Sequence, residues 1–215
     1  MKIAILFRGP IRPTPATAFE RYLEFMSHFT NSDIEVHTYL ATWRMWKNYK
    51  ACDLISLNLF DNVIMQTAPT EAHRLRCTKL VKLPNGADIE PVFNMYYQSK
   101  TALDLIVNSD NYDYIIHTRP DMKILIEGYL DQWFDPNFYV APHVHPKPWM
   151  NDQFGIAPSV MMHKAWDYGD IGNLGKLIEQ ADKPEAVLQT MIDQKGIPVK
   201  AGQYKIWQLD PRRNN

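Results

Sequence analysis

Tyr112-Asp113-Tyr114-Ile115-Ile116-His117-Thr118-Arg119-Pro120-Asp121 changes character halfway along. Its first half is a short apolar run, as expected of a strand buried on both faces of a parallel sheet, and its second half breaks into polar residues. In open α/β sheets, ligands sit outside the carboxyl ends of the strands, so Arg119 and Asp121 fall where chemistry is expected. A carboxylate at such a place can hold Mg²⁺ or Mn²⁺, hard ions that take oxygen ligands and bridge phosphates. Arg119 can pair with a phosphate, and Pro120 stiffens the turn. The plainer alternative makes Asp121 a turn former and Arg119 a surface ion-pair partner.

Outward from this segment, strand-like and helix-like stretches alternate, which predicts an α/β fold with a mainly parallel central sheet flanked by helices. Ile3 to Phe7 is a continuous apolar run closed by Arg8-Gly9-Pro10. Phe19, Tyr22, Leu23, Phe25 and Met26 recur at helical spacing between Ala16 and Phe29. Ile34 to Leu40 and Asp61 to Met65 read as the next strands, and Val92 to Val107 as an amphipathic helix. Met122 to Ile126 reads as an extended continuation of the acidic strand, and Phe154 to Ala157 as an edge strand. Helices follow near Val160 to Tyr168, Leu174 to Ala181 and Pro184 to Gln194, with Pro184 suited to a first turn and Gly196 to a stop. Ile197 to Lys200 is expected to be the final strand. Thr67 to Pro91 and Pro136 to Pro148 gather prolines and lose periodicity, so both read as irregular.

The 215 residues, 46% of them hydrophobic, suffice for one core and leave little room for two. A formal net charge of -1 supplies no overall field to attract nucleic acid. Cys52 and Cys77 have no metal spacing and form no disulfide framework, which points to a reducing, cytoplasmic setting. No apolar run is long enough for a membrane span, and a monomer is expected. The ending Asp210-Pro211-Arg212-Arg213-Asn214-Asn215 lacks a closing element, so the chain reads as the N-terminal part of a longer protein.

Three further segments carry candidate chemistry. In Phe7-Arg8-Gly9-Pro10-Ile11-Arg12, Gly9 allows close backbone approach to a ligand and Arg8 and Arg12 can reach a diphosphate. His37-Thr38-Tyr39 offers a ring to stack on a base and hydroxyls to bond it, although aromatics at a strand end also serve as core. In Asn151-Asp152-Gln153-Phe154, Asp152 can take a proton from an acceptor hydroxyl, while Asn-Asp is also an ordinary turn pair. His143 and His145 lie close by in sequence and can supply a metal ligand or a phosphate contact. Neither a Walker loop nor GxGxxG is present.

Arg8-Gly9, His37-Thr38-Tyr39, Tyr97-Gln98-Ser99-Lys100, Arg119-Pro120-Asp121 and Asn151-Asp152-Gln153-Phe154 follow one another in an order that resembles the GT-A-fold glycosyltransferases. More narrowly, the set is similar to the N-terminal glycosyltransferase domains of large chlorella-virus proteins that decorate the major capsid protein. The resemblance spans nearly the whole chain. It implies a Rossmann-like GT-A domain over residues 1–215, a UDP-sugar donor, a glycan acceptor on a glycoprotein, and Mn²⁺ or Mg²⁺ on the diphosphate. Mapped residue by residue, it assigns the donor to Phe7, Arg8, Gly9, Arg12, Thr38, Tyr39, Lys100 and Arg119, and the metal to Asp121 with His145. Asp152 stands where an acceptor-side base is expected, for an inverting transfer. The family's acidic triplet is incomplete, since Arg119 occupies its first position. Two other readings remain open: a sugar-nucleotide or glycan-binding module without catalysis, and a nucleotidyltransferase.

Overall fold

The computed structural model describes residues 1–9, 14–30, 32–43, 53, 55, 57–66, 83–84, 86, 89–109, 111–126, 130–142, 152–202 and 204–208. Its first strand, β1 (Lys2–Arg8), is buried along almost its whole length, as the unbroken apolar run requires. Helix α1 (Pro15–Met26) follows, started by Thr14, whose side chain accepts from the Thr17 N–H, with Pro15 in the first turn where a missing N–H costs nothing. Then come β2 (Glu35–Trp43), β3 (Asn62–Gln66) and the long helix α2 (Ile89–Ser109). Strands β4 (Tyr114–Thr118), β5 (Met122–Ile126), β6 (Tyr139–Pro142) and β7 (Gly155–Pro158) precede three helices, α3 (Ser159–Trp166), α4 (Ile171–Gln180) and α5 (Pro184–Gln194). Strands β8 (Val199–Gly202) and β9 (Tyr204–Gln208) end the described chain.

Seven strands form one sheet in the order β3-β2-β1-β4-β7-β6-β8. All its described pairings are parallel except those of β7, which runs against both β4 and β6. The fold is therefore α/β with a mostly parallel mixed sheet, as the alternation of elements predicts. Pleating divides the core into two layers. Ala4, Leu6, Tyr39, Ala41 and Ile115 face α2 to α5. Ile3, Ile5, Phe7, Leu40 and Ile116 face α1, β5 and the 3₁₀ turn at Leu130–Trp133. Because successive side chains alternate, Arg8 and His117 fall on the α2 face and Phe7 on the α1 face.

Several sequence expectations are corrected. The stretch Pro136 to Pro148, read as turns, contains β6, an internal strand whose four residues are all buried; Pro136 precedes it and Pro142 is its last residue, so neither interrupts it. The run Phe154 to Ala157, read as an edge strand, is the internal strand β7, and its antiparallel direction hides it from a pattern that assumes parallel neighbours. Met122 to Ile126 does not extend β4 but leaves the sheet to pair with β9 in a separate ribbon. Ile197 to Lys200 is followed by β9 and is not the last strand. Pro91 lies in the first turn of α2, where proline is tolerated, and not in the preceding loop. No helix among the described residues is long and apolar enough to cross a membrane.

Phe7, expected at the donor, is instead the centre of an aromatic cluster. Its ring lies 5.4 Å from that of Tyr22, 5.6 Å from Phe60 and 6.1 Å from Phe25. Truncation to Ala is expected to cost about 3–5 kcal/mol. At the other end of the sheet, Gly155 leaves the space into which the Tyr139 hydroxyl projects, and a Cβ there would overlap it. Gly155→Ala should destabilise by about 1–3 kcal/mol. In the double variant with Tyr139→Leu, the two losses should sum to less than their parts in urea unfolding, because both act on one contact.

Candidate functional site

Register decides which residues meet. Leu6 is opposite His117 and Phe7 opposite Thr118 across β1 and β4, so Arg8 and Arg119 emerge level at the carboxyl edge. Gly155 is opposite His117 across β4 and β7. Because β7 runs backwards, the residues before it, Asp152 to Phe154, arrive at the same edge. With β2 on one side of β1 and β4 on the other, this is the sheet's topological switch point, where ligands of open α/β folds bind.

Arg8 is only 1% exposed. A buried guanidinium needs partners for its donors, and two of its nitrogens find them here. Its Nε donates to His117 Nε2 at 3.0 Å, a terminal nitrogen donates to the carbonyl oxygen of Asp152, and its Cζ lies 5.6 Å from the centre of the Trp166 ring. Burial pushes the Arg8 pKa down to about 10, against the opposing charge of Asp152, so it stays charged at neutral pH. His117 packs on Trp166 with ring centroids 4.3 Å apart. Burial first, and the Arg8 charge second, hold the imidazole well below its usual pKa. It is therefore neutral, and since Nε2 accepts from Arg8, the ring proton belongs on Nδ1.

The Asp152 side chain is buried, and loss of hydration raises its pKa; Arg8 and Arg119 pull it back and Glu185 adds to the rise. Tyr96 stands nearby, its hydroxyl donating to the Pro184 carbonyl oxygen and accepting from the Leu188 N–H. Ser99 lies within 3.4 Å of His117 Nε2. Gly9 has φ +108°, a conformation that side chains resist, and the aliphatic stem of Arg119 packs across it. Arg119 Nε and a terminal nitrogen donate to the two Asp121 oxygens at 2.8 and 2.6 Å.

Arg8, Gly9, Arg119, Asp121 and Asp152 are thus brought together. Thr38 and Tyr39 are not, because they sit in the middle of β2 instead of at its end. Thr38 bonds Asp61 through its hydroxyl and its N–H, fastening the start of β3, and the Tyr39 hydroxyl is 2.6 Å from that of Tyr112 at the opposite edge of the sheet. Lys100 points away from the cluster, toward Asp104 at 2.7 Å and Asp167 at 3.6 Å. Arg12, His143 and His145 lie outside the described residues. The expected Mn²⁺ or Mg²⁺ does not fit what is described. Both Asp121 oxygens are taken by Arg119, its side chain is 3% exposed, and no three His, Cys, Asp or Glu groups converge among the described residues.

His117, Trp166, Tyr96 and Ser99 are members that the sequence did not single out. His117 carried a readable signal, as a polar residue inside an otherwise apolar strand. Trp166 carried none, since only the docking of α3 brings it to the edge.

No protein-family model matches the chain, and a search of curated proteins finds no significant match. The depressed His117 pKa predicts acid sensitivity. Stability from this group is present above its ordinary value of 6.5 and is lost as pH falls toward its lower folded value. Asp152 has the opposite sign, its contribution being lost as pH rises through its raised folded pKa. His117→Asn, which keeps an acceptor for Arg8, should flatten the acid side of a plot of melting temperature against pH.

Proposed function

We propose that the chain is a glycosyltransferase that moves a sugar from a UDP-sugar to a hydroxyl of a glycan on a glycoprotein, with inversion. The observation that supports this reading is the meeting of a buried carboxyl, Asp152, with two arginines across Gly9 at the switch point of the sheet. Sequence resemblance adds a viral capsid glycan as the acceptor class.

In this reading the diphosphate lies beside Gly9 and the Arg119 stem packed on it, and competes with Asp121 for the fork of Arg119. Arg8 does not touch the donor. It fixes the main chain of Asp152 and so aims its carboxylate. The acceptor hydroxyl gives its proton to Asp152, its oxygen forms a bond to the anomeric carbon, and the bond to UDP breaks on the opposite face. A raised pKa makes Asp152 a better base, once ionised, than an exposed carboxylate.

A second reading, a sugar-nucleotide or glycan-binding module, is favoured by the closed Arg119–Asp121 pair and the burial of Asp152. Hydrolysis of the donor in the absence of acceptor separates the two, since a binding module leaves the donor intact.

A melting-temperature screen of UDP-, GDP- and dTDP-sugars, each with and without Mn²⁺, should show a rise with a UDP-sugar, because a ligand of the native state stabilises it. No rise with any donor rejects the proposal. Asp152→Asn should lower transfer by about 10²–10⁴-fold while the donor-induced rise persists. Undiminished transfer would place the base elsewhere.

A further inference from the structure

A groove lies outside the switch-point site. Tyr97, Lys100, Thr101 and Asp104 recur at positions that share one face of α2, opposite the face that buries Val92, Tyr96, Ser99, Leu103 and Ile106. Facing this stripe is the connection from α3 to α4. Its residues Tyr168, Gly169 and Asp170, with Ile171 and Gly172 of α4's first turn, complete a groove of about 640 Å³. That volume lies within the range of small-molecule sites.

The walls are built to stay open. Gly169 has φ +74° and a Cβ there would meet nothing within 4 Å, whereas a Cβ at Gly172 would come within 3.3 Å of Asp170 Oδ1. Asp167 accepts from the Gly169 N–H at 2.9 Å, and Asp170 caps α4 by accepting from the Asn173 N–H at 2.8 Å. The turn is therefore held in place before any ligand arrives.

Charge selects the ligand. Lys100 is the cation on the lining, and it is already met by Asp104 at 2.7 Å and Asp167 at 3.6 Å, with its ammonium 5.9 Å from the Tyr168 ring centre. Asp170 adds a further carboxylate to the lining. A phosphate or a nucleotide would meet no uncompensated positive charge, so this groove is unsuited to a donor diphosphate. Tyr97 and Ile171, both half-buried, offer apolar area, whereas Tyr168 is buried. Asp104 already meets Lys100 through one oxygen and His163 through the other at 2.6 Å, and its remaining lone pairs, with those of Asp170 and the Thr101 hydroxyl, can accept from adjacent hydroxyls. Flat apolar faces ringed by hydroxyls are the chemistry of pyranose sugars.

We infer that the groove between α2 and the start of α4 binds an uncharged oligosaccharide at a site separate from the switch-point cluster. The two sites stand on different faces of one helix, for Ser99 reaches His117 while its neighbour Lys100 lines the groove. Occupation of the groove needs no donor and goes beyond the transfer proposed above.

The test is titration of the intact chain with uncharged tetrasaccharides of glucose, N-acetylglucosamine, mannose and xylose, read by saturation-transfer NMR and calorimetry. At least one should bind, and Tyr97→Ala and Asp104→Asn should each weaken it by about three- to tenfold with unchanged UDP affinity. Asp104→Asn is a conservative change near the surface and keeps the test valid if Tyr97→Ala fails to fold. Binding of a tetrasaccharide without binding of UDP would uphold the groove and reject the donor reading alone. The inference is overturned if no tetrasaccharide binds, if both variants bind undiminished, or if spermidine binds and the sugars do not.

Discussion

Everything at the carboxyl edge depends on the buried charge of Arg8. An ionised guanidinium cannot be taken out of water unless each side of it finds a partner, because desolvation without compensation costs several kcal/mol. Its partners come from three separate parts of the chain: His117 from β4, the Asp152 carbonyl from the approach to β7, and Trp166 from the end of α3. Each must be in place for the others to be tolerated. The charge thus specifies the arrangement as much as it stabilises it, and removal of any partner leaves a cation buried against an incomplete shell.

This constraint also explains the electrostatic division of the site. Arg8 faces inward and is consumed by structure, whereas Arg119 lies at the rim, 10% exposed, against a single carboxylate. Two arginines, at the ends of β1 and β4, look alike in the sequence, yet only the second has a charge that a ligand can reach. The charge of Arg8 adds to the burial that keeps the His117 imidazole neutral, and it moderates the rise that burial imposes on the Asp152 carboxyl.

Much of the architecture was legible in the sequence because it follows from short-range rules. The apolar runs of β1 and β4 and the helical spacing around Phe93 to Ile106 depend on burial patterns, and Pro184 and Gly196 mark the ends of α5 through backbone geometry alone. What was not legible depends on direction and on distant packing. Nothing in Gly155–Pro158 announces that the strand runs backwards, and the prolines around Tyr139–Val140–Ala141 disguise a fully buried strand as turns. At the site, Arg8, Gly9, Arg119, Asp121 and Asp152 could be named because they sit next to strand ends. Thr38 and Tyr39 were misplaced because β2 runs on to Trp43, several residues past the point where its apolar pattern was taken to stop. Phe7 failed for a simpler reason, being one pleat out of phase with Arg8.

The bond from Arg8 to His117 joins residues 109 positions apart. While the chain is being made, β1 therefore exists long before the strand that satisfies its last side chain. Pairing with β2 can form early, once the crossover through α1 has closed, but that pairing alone would draw a charged group toward a sheet with no acceptor for it. The favourable moment for Arg8 to leave water is after β4, the Asp152 turn and α3 have docked. Closing so long a loop is slow, since its entropy is lost before the contact repays it. The same guanidinium that orders the finished site is thus a reason for the centre of this sheet to mature late, with its apolar strand waiting beside an unfilled neighbour position.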